Sequence, residues 1–424
     1  MLDHCRPAAV ITMEPFRGRA YLQVIDRSPR PTDHGSHRRA SSARKHTRGG
    51  RRAPLARPRA FGQTPGLIPR AHRRTAIPPV RVHMRVPGTQ PMPALLRLIE
   101  SIEGAGFDGA GILDSQLISR DTFVVLSQAA TRTARMTLFP AVTNPLTRHA
   151  SVLAGAIQSV EELAPGRVKF VLGSGYTSAS TIGRRPATLA EMRECLRTVR
   201  ALLAGERVDF AGTPGRLAFA ARRPIPLIMA ASGPKAIELA GEIADGALLL
   251  VGFNRGIVER ALEHLERGAR RSGRRVEDLD VTWAVRTTTA PTTAEARRLA
   301  RPVAVHWGVL RWGGYWLGPA GIRLPRFDVP QAVHEIYPDL SHAPDWEAAI
   351  AATSFVSDEI VAQLCEALGL VAAPADCAAR IAEMAKLGVR NLYLMPTLTF
   401  APPQAEIAAF RDVVFPRLRE AGVR

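Results

Sequence analysis

The sequence predicts an α/β fold, a single (β/α)8 or TIM barrel with a long insertion between strands seven and eight. Three observations carry that expectation. Eight short runs rich in β-branched residues recur between residues 80 and 397. Each is almost continuously apolar rather than alternating, the pattern of a strand covered on both faces. Longer segments with helical periodicity separate them. An open doubly wound sheet is the alternative, but a count of eight with a closing strand near the C-terminus argues against it.

The elements follow in order. VRVHMRV (80–86) is the first strand and MPALLRLIESIEGAG (92–106) its helix. FDGAGILDS (107–115), MTLFPAVTN (136–144) and RVKFVLGSG (167–175) are strands two to four. TFVVLSQAATRT (122–133) and HASVLAGAIQSVEELAPG (149–166) are the helices between them, and PATLAEMRECLRTVRALLAGE (186–206) follows the fourth strand. PLIMAASG (226–233), DGALLLVG (245–252) and DLDVTWAVRTTTA (278–290) are strands five to seven, joined by helices at 234–244 and 256–273. A helix starts at residue 293. After a long interruption come a helix at 377–388, the eighth strand VRNLYLMPT (389–397) and a closing helix at 403–422. The interruption, about 305–373, holds Trp307, Trp312, Trp316 and Trp346, four of the five tryptophans. A connection that long is functional or disordered, and the aromatic density argues against disorder. It is either a surface excursion with its own small core or a wall over the catalytic face, and the two are compatible.

Composition narrows the class. The chain of 424 residues is 46% hydrophobic and 22% charged, with no apolar run long enough to span a bilayer. Cys5, Cys195, Cys365 and Cys377 are scattered without metal or disulfide spacing, so a cytoplasmic protein is expected. The net charge of +19 is uneven. Residues 1–75 hold 17 Lys+Arg against 4 Asp+Glu, and the remaining 349 residues hold 40 against 34. The excess sits in an extension rich in Arg, Pro, Ser and Gly that buries too little apolar surface to fold alone, so disorder is expected there. That extension reads as translation begun upstream of the true start, as an arm that touches polyanions, or as a leader segment. Nucleic-acid binding is not expected except through it. The barrel is expected over 76–424.

Barrel enzymes build their sites where strands end. Two strand ends look like anion sites. After strand four, Gly173, Ser174 and Gly175 let the backbone approach a ligand, and Tyr176, Thr177 and Ser178 add donors. After strand five, Ala231, Ser232 and Gly233 lead into a helix whose first turn carries Pro234 and Lys235. A helix start presents free N–H groups and the positive end of the dipole, which suits a phosphate. The plainer reading makes Ser232 an N-cap and the glycines tight turns. Strand three ends in Thr143-Asn144-Pro145, whose hydroxyl and amide could meet a flat heteroaromatic ring. His149 is a catalyst or merely a helix N-terminal residue. The 11 histidines are dispersed, no metal set is seen, and there is no G-x-S-x-G elbow. A bound cofactor is therefore the expected carrier of the chemistry.

GFDGAGILDSQLISRDTFVVLSQAA, LFPAVTNPLTRHASVLAGAIQSVEELAPGRVKFVLGSG and AASGPKAIELAGEIADGALL resemble the luciferase-like monooxygenase superfamily, over about residues 80–424. Within it, the chain is most similar to the branch of coenzyme F420-dependent methylenetetrahydromethanopterin reductases. VTNP-x-x-RH and SGPK before a helix are specific in combination. The resemblance implies a deazaflavin or FMN and hydride transfer at its central ring. It places the cofactor phosphate between Gly173, Ser174, Gly175, Tyr176 and Thr177 on one side and Ala231, Ser232 and Gly233 on the other. Thr143 and Asn144 would meet the ring, backed by a non-proline cis peptide at Ala141–Val142. Asp114, Asn144 and His149 are the implied polar groups near the reacting centre. Two departures stand out. Relatives carry Asp-His where this chain has Asp114-Ser115, and an acidic residue where it has Tyr176-Thr177.

The expected function is an F420-dependent oxidoreductase acting on a small organic substrate. An FMN-dependent luciferase-like monooxygenase is the alternative. A barrel without chemistry that binds polyanions through its basic extension is a third reading. A homodimer is compatible with the family.

Overall fold

The computed structural model describes residues 12–16, 19–23, 78–220, 223–311, 315–336 and 339–424. Trp312 lies outside them. The chain divides into two units, Met1–Arg73 and Arg74–Arg424. In the first, Thr12–Phe16 pairs antiparallel with Arg19–Gln23. The disorder expected there otherwise falls outside the described residues.

The second unit is the barrel. Its strands are β1 (Arg81–Val86), β2 (Gly109–Ile112), β3 (Thr137–Pro140), β4 (Phe170–Leu172), β5 (Leu227–Ala231), β6 (Gly246–Leu249), β7 (Asp280–Thr289) and β8 (Asn391–Pro396). They hydrogen-bond in parallel in the order β3-β2-β1-β8-β7-β6-β5-β4. The ring closes between β3 and β4. Leu138 donates to Arg167 O at 2.7 Å below, and Gly173 donates to Thr143 O at 2.8 Å above. Between these contacts the Ala141–Val142 peptide is cis. Strands three and four are thus shorter than the sequence suggested, because the bulge interrupts their pairing just where apolar character continues.

Helices α1 (Met92–Gly104), α2 (Thr122–Arg132), α3 (Ala150–Leu163), α4 (Leu189–Leu203), α5 (Pro234–Ile243), α6 (Arg255–Arg271), α7 (Thr293–Val305) and α8 (Pro374–Lys386) surround the ring, with further helical turns in the insertion and at the C-terminus. Side chains cap many of their starts: Asp121 caps α2, Thr188 and Glu191 form a capping box on α4, Asn254 caps α6 and Thr292 caps α7. Several elements were not legible in advance: a short helix (Tyr176–Ser180), a hairpin pairing Val208–Phe210 with Thr213–Gly215, the insertion helices Gln331–His334, Trp346–Ala352 and Asp358–Leu368, and the strand Gly369–Ala372. That last strand pairs with Arg286 to Thr289, so β7 continues beyond the point where β6 stops.

Inside the ring, Phe139, Ala141, Val171, Ile228, Leu248, Ala284 and Tyr393 form a closed apolar cluster. The rings of Phe139 and Tyr393 meet edge to face at 5.5 Å. They fit because β2 has no side chain to offer at Gly111. A Cβ there would lie 2.6 Å from the Tyr393 ring and 2.7 Å from the Phe139 ring. Gly111→Ala is therefore expected to destabilise the barrel by about 1–3 kcal/mol. Thermal melting checks it, with a drop of several degrees expected and no change contradicting this packing.

Candidate functional site

The C-terminal mouth is shaped first by the bulge. Val142 and Asn144 project from β3 onto the loop after β4. A Cβ at Gly173 would lie 2.5 Å from Val142 Cγ2, and one at Gly175 would lie 2.8 Å from Asn144 Cβ. Gly175 also has φ +76°, which favours glycine. The two glycines that seemed to clear space for a ligand instead clear space for the β3 bulge. Asn144 is fully buried. Its Oδ1 accepts from Leu146 N at 2.9 Å and Thr147 N at 3.0 Å, and its Nδ2 donates to Ser178 Oγ at 2.9 Å. Thr143 is equally buried, and its hydroxyl has no partner among the described residues. Both residues lie beneath the mouth surface, so neither presents its side chain to a ring in this conformation.

Two helices begin side by side at this mouth. The short helix after β4 starts at Gly175 and α5 starts at Gly233, each without a side-chain cap. Ser232 is not the cap; the cap position is Gly233, and Ser232 is exposed. A Cβ at Gly233 would meet nothing within 4 Å. Among the described residues, no side chain accepts from the first-turn N–H groups of either helix.

The loop after β2 carries a charge network. Arg148 reaches Asp114 Oδ2 at 2.6 Å and Asp121 Oδ2 at 2.6 Å, and Gln116 donates to Asp114 Oδ1 at 3.2 Å. Asp114 is buried. Burial lowers the Arg148 pKa, but the two carboxylates outweigh it and hold the guanidinium above its ordinary value. Burial raises the Asp121 pKa, yet bonds from Arg148 and two backbone N–H groups carry it below its usual range. This network ties the β2 loop to the β3 loop. His149 is exposed and caps α3: its Nδ1 accepts from Ser151 N at 3.3 Å and from Ser151 Oγ at 2.7 Å, and its ring packs on Phe210 at 5.4 Å.

The insertion walls the mouth on the β4–β5 side. Arg311 donates to the Tyr176 hydroxyl and lies over its ring at 5.2 Å. Trp316 Nε1 donates to Ser232 O at 2.8 Å. Trp316, Leu317, Val333 and Leu340 of the insertion are buried, but they join the main core of the barrel and do not form a separate small core.

Half-buried Val142, Ala230, Leu250 and Met395 pack on the inner cluster and make an apolar floor. Arg85 and Arg286 sit beside it on β1 and β7, only 3% and 7% exposed. The sequence reading missed both, along with Arg148 and Arg311. The signal was present: a strand read as covered on both faces should contain no arginine unless that arginine has a task.

The family model described as "Luciferase-like monooxygenase" matches residues 75–391. The chain belongs to this family. Members similar to it are redox enzymes. A 5,10-methylenetetrahydromethanopterin reductase of Methanolobus tindarius is 28% identical over 302 residues, 68% of this chain and 86% of the relative. An F420-dependent glucose-6-phosphate dehydrogenase of Beutenbergia cavernae is 35% identical over 231 residues, 49% of this chain and 66% of the relative. The solved coenzyme F420-dependent tetrahydromethanopterin reductase of Methanopyrus kandleri shares the fold, with a TM-score of 0.65 at 22% identity, covering 80% of this chain and 99% of that one. This chain is thus an oxidoreductase of the luciferase-like family. Among the described residues, no helix is long and apolar enough to cross a membrane.

Arg148→Met is expected to destabilise the protein by about 3 kcal/mol, because it strands a buried carboxylate. Adding Asp114→Asn should recover part of that loss. Denaturant melts of the two single variants and the double variant check the coupling, and additive losses would contradict it.

Proposed function

We propose that this family member is an F420-dependent oxidoreductase that passes hydride between the deazaflavin and a small organic substrate. One observation carries the reading: two uncapped helix starts, at Gly175 and Gly233, stand on the adjacent strands β4 and β5 beside an open apolar floor. Such a pair suits a phosphate, and the floor suits the face of a flat ring. The similarity to an F420-dependent glucose-6-phosphate dehydrogenase favours the deazaflavin. Bound there, a deazaflavin supplies a two-electron hydride donor or acceptor.

The residues fit such a group. Backbone N–H groups of Tyr176 and Thr177, and of Lys235 in α5, would hold the phosphate, with the Ser174 and Ser232 hydroxyls beside them. Ala231 and Gly173 would line the channel between these two starts. Val142, Ala230 and Leu250 would support the ring, over Ala141 and the bulge. Thr143 and Asn144 act as positioning residues, fixing the bulge against Gly173 and Gly175. Asp114 and Arg148 hold the β2 and β3 loops in register around the substrate, and His149 fixes the start of α3. The insertion flanks the phosphate side through Arg311, on Tyr176, and Trp316, on Ser232 O. Holding ring and substrate together removes entropy from the barrier.

The family model's own description favours a second reading, an FMN-dependent monooxygenase on the same scaffold. Titrating the full chain with F420 and with FMN separates them. F420 is expected to bind at least about tenfold tighter, a difference near 1.4 kcal/mol, and tighter FMN binding would reverse the assignment. The phosphate site has its own test. Gly233 has φ −94° and open space around it, so Gly233→Asp should fold normally and gain a few tenths of a kcal/mol as an N-cap. The new carboxylate would occupy the helix start and repel a phosphate. Melting temperature should hold or rise while cofactor affinity drops about tenfold or more. Undiminished affinity would remove the site from α5.

A further inference from the structure

Across the mouth from β4 and β5, the strands β1, β8 and β7 stand side by side. Their inward faces are set by alternation. Tyr393 and Ala284 belong to the inner cluster, so Thr397 and Arg286 share their faces. His83 meets the inner Phe139 ring edge-on at 5.6 Å, so Arg85 shares that inward face on β1. Arg85 and Arg286 therefore share an inner layer with Met395, above the Tyr393 layer and below Thr288 and Thr397, toward the end where a barrel meets its substrate.

Neither arginine has a counter-ion. No carboxylate lies within 4.0 Å of either guanidinium among the described residues. Arg85 donates to Pro396 O, while its Nε is buried without a partner. The Arg286 side chain makes no hydrogen bond among the described residues; its guanidinium lies over the Trp307 ring at 4.5 Å. Two carboxylates act on the pair only from beyond ion-pair distance. Asp339 attracts Arg286 but accepts from Ser341 N at 2.8 Å and pairs with His342 Nδ1 at 2.8 Å. Glu406 attracts Arg85, and burial raises its own pKa. Beside the pair, the hydroxyls of Thr288 and Thr397 bond to each other.

Two buried cations without anions are a costly arrangement. Burial, and then repulsion from Arg85, lower the Arg286 pKa to about 9. A fold keeps such a pair when something else supplies the negative charge. We propose that Arg85 and Arg286 form the recognition site for an anionic group of the substrate, a carboxylate or a phosphate. The planar guanidinium fork suits either, in bidentate geometry. A substrate held there would extend over Met395 and the apolar floor toward the ring. Only that last placement rests on the F420 reading; the anion site itself does not.

The test uses the full chain without cofactor. Tryptophan fluorescence is followed while succinate or inorganic phosphate is added at constant ionic strength, with chloride as reference. Trp307 stacks on Arg286 and should report occupancy; Trp307→Phe should remove the signal. A saturable response is expected for at least one of the two anions and not for chloride. Arg286→Met should weaken that binding at least tenfold while the melting temperature holds or rises, because an unpaired buried charge is gone. Arg286→Gln serves if the methionine variant does not fold. Absence of any saturable response overturns the proposal, as does unchanged binding in the folded variant. The titration is then repeated with saturating F420 or FMN, whichever binds. Persistence of the response assigns the site to the substrate. Competitive loss assigns it to an anionic group of the cofactor and overturns the proposal. Failure of both cofactors to bind would defeat the F420 reading and leave the first titration intact.

Discussion

The mouth of this barrel depends on how β3 meets β4. Below the bulge the two strands pair through Leu138, and above it through Thr143. Between them Val142 presses on Gly173 and Asn144 on Gly175, contacts that any side chain at either glycine would break. Here the ring closes, Val142 packs on the inner cluster, and the short helix starts after Gly175. Asn144 locks that arrangement by bonding to Leu146, Thr147 and Ser178 at once. The polar residues at the end of β3 thus act through shape.

Charge is arranged around that shape. On the β2–β3 side, Arg148 is matched by two carboxylates and serves as a clamp. On the β4–β5 side, positive character comes from backbone dipoles with no side chain spent on them. On the β7–β1 side, two arginines stand without counter-ions, and the apolar floor separates the two unneutralised regions. A bare cationic rim is unfavourable for the empty protein and favourable for a complex between two molecules that each carry negative charge. The insertion reaches the β4–β5 side of the mouth through Arg311 and Trp316.

Much of the fold was legible. All eight strands were recognisable because burial on both faces leaves continuous apolar runs, and the long interruption stood out by its tryptophans. Strand ends were less so: MTLFPAVTN and RVKFVLGSG look like full strands, but no pattern of apolar residues encodes where the bulge interrupts pairing. At the site, positions were legible and tasks were not. Gly173 and Gly175 read as room for a ligand, while the space they leave is taken by Val142 and Asn144. Asn144 read as a ring contact, but a short amide two residues before free N–H groups folds back on its own backbone. His149 shows the plainer of its two readings, a helix cap. Arg85 and Arg286 were hidden inside VRVHMRV and TWAVRTTTA, where the apolar pattern drew attention away from the charge.

The adjacent helix starts at Gly175 and Gly233 are proposed to hold one anionic group of a redox cofactor whose ring lies on the floor beside Val142. A crystal structure of the F420 complex decides this. The cofactor phosphorus should lie within hydrogen-bonding reach of backbone N–H groups from both helices, with the deazaflavin face against Val142. The cofactor's own phosphate at Arg85 and Arg286, or a ring held away from Val142, would overturn the assignment.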